Sequence, residues 1–550
     1  MNRNDVINLS LLSLTLLIIS VLVQPLGEFC LYDDWSFAKS MQYFHETGKI
    51  NFTDWTSMPL IVQLLWAKIF TFFFGFSLTT LRISTIVISF LGIYGTYFFF
   101  KEITQKTKIS FFLTFIFLIQ AVFLNFVFSF NTDIPFYSII IWSAYFYLLY
   151  LNKEKFNYFI IATLFLILAI LIRDIGIALT LGFAIAFIFK NKSIPYKIFI
   201  AIIPIIAGFS AIYLWKQYLI SIDNLPALYD DGRVRMMKIF DKGILQNIIS
   251  ISKNLIWFCS YFGLFLSPLI LINYNQIKNF LKNSKIIGLI ILTIFVALII
   301  VGNISSGIAE KFSDLLIHHI FGMNYFPSVY DIQNSTNITK SLFWNKIALV
   351  LGTFGFSLFL LFLNIFAKKL IEKIKNAESI PYELIFFVSS IILYSGSIIL
   401  AGIYMKYLIF VMPFIMALFF ISFEISNKKS TFEMGISIIL TFAIMYFSIS
   451  TTHDVIAEER TRWEIASELN QNHNIPVEKI DGGICFNGWH LYSYHYKESP
   501  NKNWWWVIDD EYIVVDGTVE NYEVVNSKTF TRFLPPFHQV KINGLRKKNK

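Results

Sequence analysis

Long, almost uninterrupted apolar stretches determine what this 550-residue chain can fold into. Hydrophobic residues make up 56% of the sequence and charged residues only 15%, and the mean hydropathy is +0.61. A water-soluble globule has no room for so much apolar surface, whereas about 20 consecutive apolar residues are enough to cross a bilayer as one helix. The sequence therefore predicts an all-α polytopic membrane protein.

Lysine residues gather in the short connections between the apolar stretches. The clusters lie at 101–108, 153–155, 190–197, 278–285, 368–375 and 428–429. The positive-inside rule explains such lysines as cytoplasmic anchors, so the formal net charge of +9 does not indicate a nucleic-acid partner. The apolar stretch 6–26 lacks a small-residue cleavage site and is long enough to span, so it predicts a first transmembrane helix rather than a signal peptide.

The same rule predicts the topology. All lysine clusters can lie inside only if the chain reverses direction near Arg173–Asp174 and again near Gly402. This gives about thirteen spans, with the N-terminus in the cytoplasm and the C-terminus outside. The expected location is the plasma (inner) membrane, with membrane lipids as surroundings.

Composition changes after the last apolar stretch, and we divide the chain there into two domains. Residues 1–451 form the predicted transmembrane domain, and residues 452–550 form a small extracytoplasmic α/β domain. In the second domain, the pattern predicts a helix at 455–469 and strands at 504–508 and 512–515.

The connection between the first two spans, residues 27–80, is unusually long. Apolar residues recur at helical spacing over 35–44, which predicts an amphipathic helix in the membrane interface. The apolar stretch 60–76 follows, and we interpret it as a second interfacial helix because the topology allows only one crossing before the first lysine cluster.

Ionisable residues of the membrane domain collect on the predicted outer side. Asp33 and Asp34 are adjacent, and two carboxylates at a membrane boundary are costly unless chemistry or an ion needs them. The predicted topology places three more ionisable positions on the same side: Asp133, Arg173 and Lys406. One face of the membrane domain is therefore the expected place for a functional site.

Four stretches of the sequence resemble one known family. They are Tyr32–Ser40 with the following Glu46–Gly48 and Met58–Leu60, then Asn131–Pro135, Leu171–Gly176, and Met405–Tyr407 with Pro413. In their order and common placement they resemble the GT-C class of membrane glycosyltransferases, in the branch that contains protein O-mannosyltransferases and the lipid A aminoarabinose transferase (glycosyltransferase family 39). The resemblance covers about the first 450 residues by the span count and implies the GT-C fold for them.

The resemblance also implies an enzyme activity. Members of that family take a sugar from a polyprenyl-phosphate carrier and pass it to an acceptor hydroxyl of a glycan, lipid or protein at the outer face. A lipid phosphate leaves without needing a proton, so such a site needs one general base for the acceptor and positive charge for the phosphate.

By resemblance, Asp33 is the catalytic base. Asp34 and Asp133 are the accompanying acidic residues, expected to position the acceptor or a divalent cation. Arg173 stands where relatives commonly carry a lysine near the lipid phosphate, and an arginine can hold two phosphate oxygens at once. The Lys406–Tyr407 pair is also expected at the phosphate. The sequence leaves the metal requirement open.

Each of these residues has a simpler alternative explanation. The Asp33–Asp34 pair could begin the amphipathic helix, and Asp133 could cap the helix that follows it. Arg173 and Asp174 could neutralise one another at a tight turn. Lys406 could extend its side chain along the membrane surface.

Other motifs are weaker. His318–His319 could bind a metal, but no second ligand is suitably spaced, and a solvated loop is the better interpretation. Arg233 and Arg235 could guide a lipid headgroup or belong to a salt-bridged loop. Aromatic residues at 489–490 and 504–506 could stack on sugars, although a domain core or membrane-surface contact is favoured. Three widely separated cysteines indicate neither a disulfide framework nor a zinc site.

Two further functional classes stay open. A transporter or flippase of lipid-linked substrates would carry interrupted helices or charges near the bilayer midplane. An inactive relative could serve as a scaffold. Clustering of the ionisable residues at one face favours an enzyme with a one-sided site.

Overall fold

The computed structural model describes residues 2–238, 241, 243–304, 342–376, 379–402, 404–423, 429–472, 474–492, 506–507, 510–535, 537 and 539–548. The helices are α1 (Arg3–Val23), α2 (Asp34–Thr47), α3 (Ile61–Phe74), α4 (Leu78–Thr104), α5 (Thr107–Leu118), α6 (Ala121–Val127), α7 (Asp133–Lys153), α8 (Phe156–Ile170), α9 (Ile177–Ile188), α10 (Ile194–Ser221), α11 (Asp231–Met237), α12 (Ile244–Phe265), α13 (Ser267–Leu271), α14 (Tyr274–Asn283), α15 (Lys285–Ile304), α16 (Leu342–Lys375), α17 (Tyr382–Ala401), α18 (Leu408–Ser422), α19 (Thr431–Gln471) and α20 (Gly483–Leu491). The strands are β1 (Ile480–Asp481), β2 (Tyr512–Asp516), β3 (Tyr522–Thr531) and β4 (Gln539–Lys547).

The predicted fold class, a polytopic helical membrane protein with a small C-terminal sheet, is confirmed. Among the described residues, nine helices are long and apolar enough to cross a bilayer, and two bent pairs, α5 with α6 and α14 with α15, raise the number to eleven. The apolar helices α8 and α9 are too short to be counted among these, and they flank the turn at Arg173. If these two also cross, the total equals the thirteen spans predicted.

Helices of the membrane domain differ in how they are buried. Most of α7 and α18 is enclosed by other helices, whereas α1 and the first half of α19 are largely exposed, as expected for helices that face lipid. A close helix approach joins α12 to α16, where a Cβ on Gly263 would lie 1.7 Å from the carbonyl oxygen of Gly355. Small residues allow such backbone contact, which is a common way for membrane helices to associate.

Both predicted helices of the first long connection are present. The helix predicted at 35–44 corresponds to α2, which ends at Gly48 in a left-handed conformation (φ 70°). The stretch predicted at 60–76 contains α3, which begins after Leu60. Residues near both helices contact the turn before α7: Phe130 donates to Asp34, and Thr132 donates to the Met58 sulfur at 3.2 Å.

The C-terminal region is built on α19. This helix starts at a capping box formed by Ser430 and Glu433 and continues for 41 residues, so the proposed boundary at 451/452 falls inside one helix. The division into two domains stays a prediction. The helix predicted at 455–469 is the last part of α19 rather than a separate element.

A four-stranded sheet packs on the last turns of α19. Its order is β1-β2-β4-β3, with β1 parallel to β2 and the other pairs antiparallel. Ile465 and Leu469 of α19 share a buried core with Val514 and Ile542 of the sheet.

Only one of the two predicted strands is seen. The strand predicted at 512–515 corresponds to β2. Trp506 and Val507 from the other predicted strand, 504–508, lie in no strand, and its remaining residues are outside the described ranges.

The topology can be tested by labelling cysteines placed at two exposed positions, in a Cys259→Ser background because Cys30 and Cys485 are buried. Thr47 ends α2, and Gln105 caps the C-terminal end of α4. We expect an impermeant maleimide to label Thr47→Cys in intact cells and Gln105→Cys only after permeabilisation. Labelling of both, or the reverse pattern, would contradict the predicted orientation.

Candidate active site

Asp33 lies at the N-terminus of α2 and presents a half-exposed carboxylate. Its backbone occupies the N-cap position, but its side chain makes no capping hydrogen bond. Instead, the carboxylate pairs with Lys406 (Nζ to Oδ2, 3.2 Å) and accepts a hydrogen bond from Trp55 Nε1 at 3.3 Å. The pair does begin α2, as the helix-start alternative has it, but the Asp33 side chain contacts Lys406 and Trp55 rather than the helix backbone.

Asp34 faces the opposite way, into the protein. Its carboxylate accepts backbone hydrogen bonds from Leu31 at 2.7 Å and from Phe130 at 3.2 Å, and only 3% of the residue is exposed. Burial raises the pKa of Asp34 to about 7, although the nearby Arg82 guanidinium acts against this rise. Asp34 thus ties the start of α2 to the turn before α7, and a catalytic role for it stays a prediction.

A buried arginine holds the segment that precedes Asp33. Arg82, in the second turn of α4, donates to the carbonyl oxygens of Pro25 (2.7 Å), Gly27 (3.0 Å) and Phe29 (2.6 Å), and its guanidinium lies 4.3 Å from the centre of the Phe29 ring. The sequence pattern did not single out this residue. An arginine within an apolar helix was the available signal.

Asp133 and Arg173 form a buried ion pair. Arg173 donates through Nη1 to Asp133 Oδ1 at 2.5 Å and to Thr132 Oγ1 at 3.2 Å. The second carboxylate oxygen of Asp133 is buried without a hydrogen-bond partner among the described residues. Such an unsatisfied oxygen is costly in a protein interior unless a water molecule or a ligand donates to it.

Two alternatives for these residues do not match the contacts. Asp133 is the first residue of α7, but its carboxylate binds Arg173 rather than capping the helix. Arg173 and Asp174 form no ion pair with one another: Asp174 lies 3.7 Å from Arg233 and interacts with Arg173 only electrostatically. Sequence neighbours separated at a turn commonly find different partners.

Lys406 and Tyr407 complete the cluster. They lie in a short 3-10 turn before α18, where Lys406 pairs with Asp33 and the Tyr407 ring centre is 4.9 Å from the Arg173 guanidinium. The Lys406 side chain is only 16% exposed and interacts electrostatically with both Asp33 and Asp133. Lys406 therefore points into the cluster instead of along the membrane surface.

Five of the six predicted site residues thus meet in one place: Asp33, Asp133, Arg173, Lys406 and Tyr407. The two carboxylates and the two cations of this cluster balance in formal charge. A bound anion would make the cluster negative and would compete with the carboxylates for the cations. The sixth residue, Asp34, supports the cluster from behind.

The arginines of α11 lie in a salt-bridged surface segment. Arg233 contacts Asp230 at 3.5 Å in addition to Asp174, and Arg235 contacts Asp231 at 2.5 Å. Both arginine side chains are about half exposed. These contacts agree with the salt-bridged interpretation.

No group of three or more metal-binding side chains of His, Cys, Asp or Glu occurs within the described ranges. His318 and His319 lie outside them, as do Trp504 and Trp505. Trp506 packs against Trp35 and Trp55, with ring centres 5.1 and 5.5 Å apart. Trp506 is therefore part of a core between the C-terminal region and the first loop, in agreement with the domain-core alternative.

Comparison with known proteins gives one matching family. Residues 58–215 match the sequence model of the family described as dolichyl-phosphate-mannose-protein mannosyltransferase. This segment covers somewhat under a third of the chain and includes Asp133 and Arg173. The match confirms the resemblance inferred from the sequence. No curated protein matches the chain in sequence.

Solved structures show a more distant likeness. The oligosaccharyltransferase of Archaeoglobus fulgidus in its apo form is 12% identical, with a TM-score of 0.38, over 90% of this chain and 61% of that one. ArnT from Cupriavidus metallidurans is 11% identical in the apo state (TM-score 0.40) and 12% identical when bound to undecaprenyl phosphate (TM-score 0.39), over 97% of both chains.

The buried position of Asp34 predicts a pH dependence of stability. Its pKa is about 7 in the folded protein, against 3.8 for an ordinary solvated aspartate, so the folded state holds this proton more tightly. Stability from this group is full below about pH 4 and is lost as the pH rises through 7, by at most about 1.4 kcal/mol per pH unit. We expect thermal unfolding to show this loss in the wild type and not in Asp34→Asn; equal pH slopes would contradict it.

Proposed function

We propose that this protein is an integral membrane glycosyltransferase of the plasma membrane. It moves a hexosyl or pentosyl group from a polyprenyl-phosphate carrier to an acceptor hydroxyl on a glycan, lipid or protein at the extracytoplasmic face. The observation that carries the proposal is the ion pair between half-exposed Asp33 and partly buried Lys406, beside the Asp133–Arg173 pair. The matched family, which covers residues 58–215, supports the reaction class.

Asp33 acts as the general base in this proposal. Its carboxylate takes the proton of the acceptor hydroxyl, and the hydroxyl oxygen then forms a bond to the anomeric carbon of the sugar. The bond between that carbon and the phosphate oxygen breaks, and the lipid phosphate leaves with the electron pair. Because the phosphate leaves without a proton, the site does not need a general acid in addition to the base.

Lys406 and Arg173 hold the phosphate. Lys406 lies 3.2 Å from Asp33, so a phosphate that draws the ammonium group away also leaves the Asp33 carboxylate free to accept a proton. Arg173 remains fixed by Asp133, with its guanidinium beside the Tyr407 ring. The unpaired oxygen of Asp133 is available to the acceptor hydroxyl or to a divalent cation.

Transport of a lipid-linked substrate is the second candidate function. The bends between α5 and α6 (68°) and between α14 and α15 (107°) are interruptions of the kind that transporters use. However, Gln120 at the first bend donates its amide to the carbonyl oxygens of Ile116 and Phe265, which closes the break with protein contacts. None of the five cluster residues lies at either bend.

Asp33→Asn tests the base assignment. Loss of the general base should lower transfer from radiolabelled undecaprenyl-phosphate sugars about 10²- to 10⁴-fold, while undecaprenyl phosphate still binds. Asp231→Asn is the matched control, because it removes a carboxylate that pairs with Arg235 outside the cluster. Undiminished transfer by Asp33→Asn at wild-type expression would refute the assignment.

Lys406→Met tests the phosphate contact. Removing a charge-assisted hydrogen bond should weaken binding of undecaprenyl phosphate roughly 10- to 100-fold, and binding of undecaprenol, which lacks the phosphate, should hardly change. Lys216→Met, which breaks an ion pair with Asp230, is the control. Unchanged phosphate binding, or equal loss for both lipids, would show that Lys406 does not bind the phosphate.

A further inference from the structure

The C-terminal region contacts the long connection 27–80 through α20. Gly488 of this helix lies directly on Trp35 of α2: a Cβ at Gly488 would be 2.5 Å from the indole ring. Trp35 is fully buried, and it also packs against Tyr492 with ring centres 5.1 Å apart. Only glycine allows α20 to approach Trp35 this closely, because the contact with α2 leaves no room for a side chain at position 488.

A second contact fixes the backbone immediately before Asp33. Cys485 of α20 donates its thiol to the carbonyl oxygen of Tyr32 at 3.4 Å and also contacts the Glu459 carboxylate. Tyr32 has a φ of 60°, in the left-handed region that non-glycine residues rarely adopt and that persists only when surrounding contacts impose it. The C-terminal region therefore supports the turn from which Asp33 projects.

A third contact reaches the Asp33 carboxylate through two tryptophans. Trp506 packs edge-on against Trp55, with ring centres 5.5 Å apart, and Trp55 Nε1 donates to Asp33 Oδ1 at 3.3 Å. Trp506 also contacts Trp35 at 5.1 Å. The C-terminal region thus contacts the backbone next to Asp33 through Cys485, and it reaches the Asp33 carboxylate through Trp506 and Trp55.

The α20 helix is itself held firmly to the remainder of that region. Asn487 donates to Asp481 at the end of β1 and accepts from the backbone of Gly482. Nearby, the buried Arg462 of α19 binds Glu458 and Glu459, each at 2.8 Å. Displacement of the sheet would therefore be transmitted to α20 rather than absorbed within it.

We infer that the C-terminal region is a positioning element for the general base, acting through Gly488, Cys485 and Trp506. The inference rests on the proposed function. These residues contact α2 and the turn before it, whereas the cations for the phosphate come from the turns before α9 and α18. Disturbing the contact should impair the transfer step and leave phosphate binding intact, because a misplacement of about 1 Å can cost about 100-fold in rate.

Gly488→Ala is the direct test, because the added methyl group must push α20 away from Trp35. We expect transfer from radiolabelled undecaprenyl-phosphate sugars to fall at least tenfold, with the affinity for undecaprenyl phosphate changed less than twofold. Gly396→Ala in α17 is the matched control, since a Cβ there meets nothing within 4 Å. Wild-type transfer by Gly488→Ala would overturn the inference, and so would equal losses in transfer and phosphate binding.

Cys485 provides a milder variant in case Gly488→Ala does not fold. Cys485→Ser keeps a donor for the Tyr32 carbonyl and should retain most transfer, whereas Cys485→Ala removes the donor and should lose several-fold more. Equal transfer by the two variants would contradict a positioning role for this thiol.

A labelling experiment that does not depend on activity separates this inference from the proposed function. An Asp33→Cys thiol reports the position of residue 33 through its rate of reaction with a maleimide, in a Cys259→Ser background. Adding Gly488→Ala should change that rate at least fivefold, and adding Gly396→Ala should not. An unchanged rate would refute the positioning role. A changed rate, together with no sugar transfer by the protein that retains Asp33, would refute only the proposed function.

Discussion

The three hydrogen bonds from Arg82 to the backbone of the loop between α1 and α2 are the interaction on which the candidate site depends. The loop between α1 and α2 is irregular, and its carbonyl groups would be unsatisfied in an apolar environment. A single buried guanidinium binds the carbonyl groups of Pro25, Gly27 and Phe29, and the loop is thereby fixed to α4. Asp34 adds a second anchor by accepting from the backbone of Leu31 and Phe130. With both anchors in place, the adjacent carboxylate of Asp33 is left to face the cluster.

The charge balance of that cluster explains how it could serve a transferase. In the absence of ligand, Lys406 neutralises Asp33, and Arg173 neutralises Asp133. The two pairs differ in exposure: the Asp33 side chain is 35% exposed, whereas that of Asp133 is 4% exposed. The Asp33–Lys406 pair is therefore the one more easily exchanged for a ligand, because an exposed pair is weaker than a buried one. In the function we propose, binding of the phosphate to Lys406 releases the Asp33 carboxylate in the same event.

Hydropathy was sufficient to predict the helical membrane fold. Lysine placement predicted a reversal at Arg173, and the structure has a break there between α8 and α9. The reversal itself stays a prediction, because it depends on which connections lie inside. Hydropathy and lysine placement could not predict which charged residues pair. Asp33 and Lys406 are 373 positions apart, and Arg173 pairs with Asp133 rather than with its own neighbour. Nor could the sequence show that Asp34 faces inward, since successive helix residues differ in direction by about 100° and the rotation of α2 is set by packing on Trp35. The contact between α20 and Trp35 was not visible in the sequence either, because Gly488 and Trp35 are far apart along the chain.

A structure of the protein with bound undecaprenyl phosphate tests the proposed phosphate exchange most directly. We expect phosphate oxygens at hydrogen-bond distance, roughly 3 Å, from Lys406 Nζ and the Arg173 guanidinium, with the Asp33 carboxylate no longer paired with Lys406. A phosphate held instead by Arg233 and Arg235, with the Asp33–Lys406 pair intact, would contradict it.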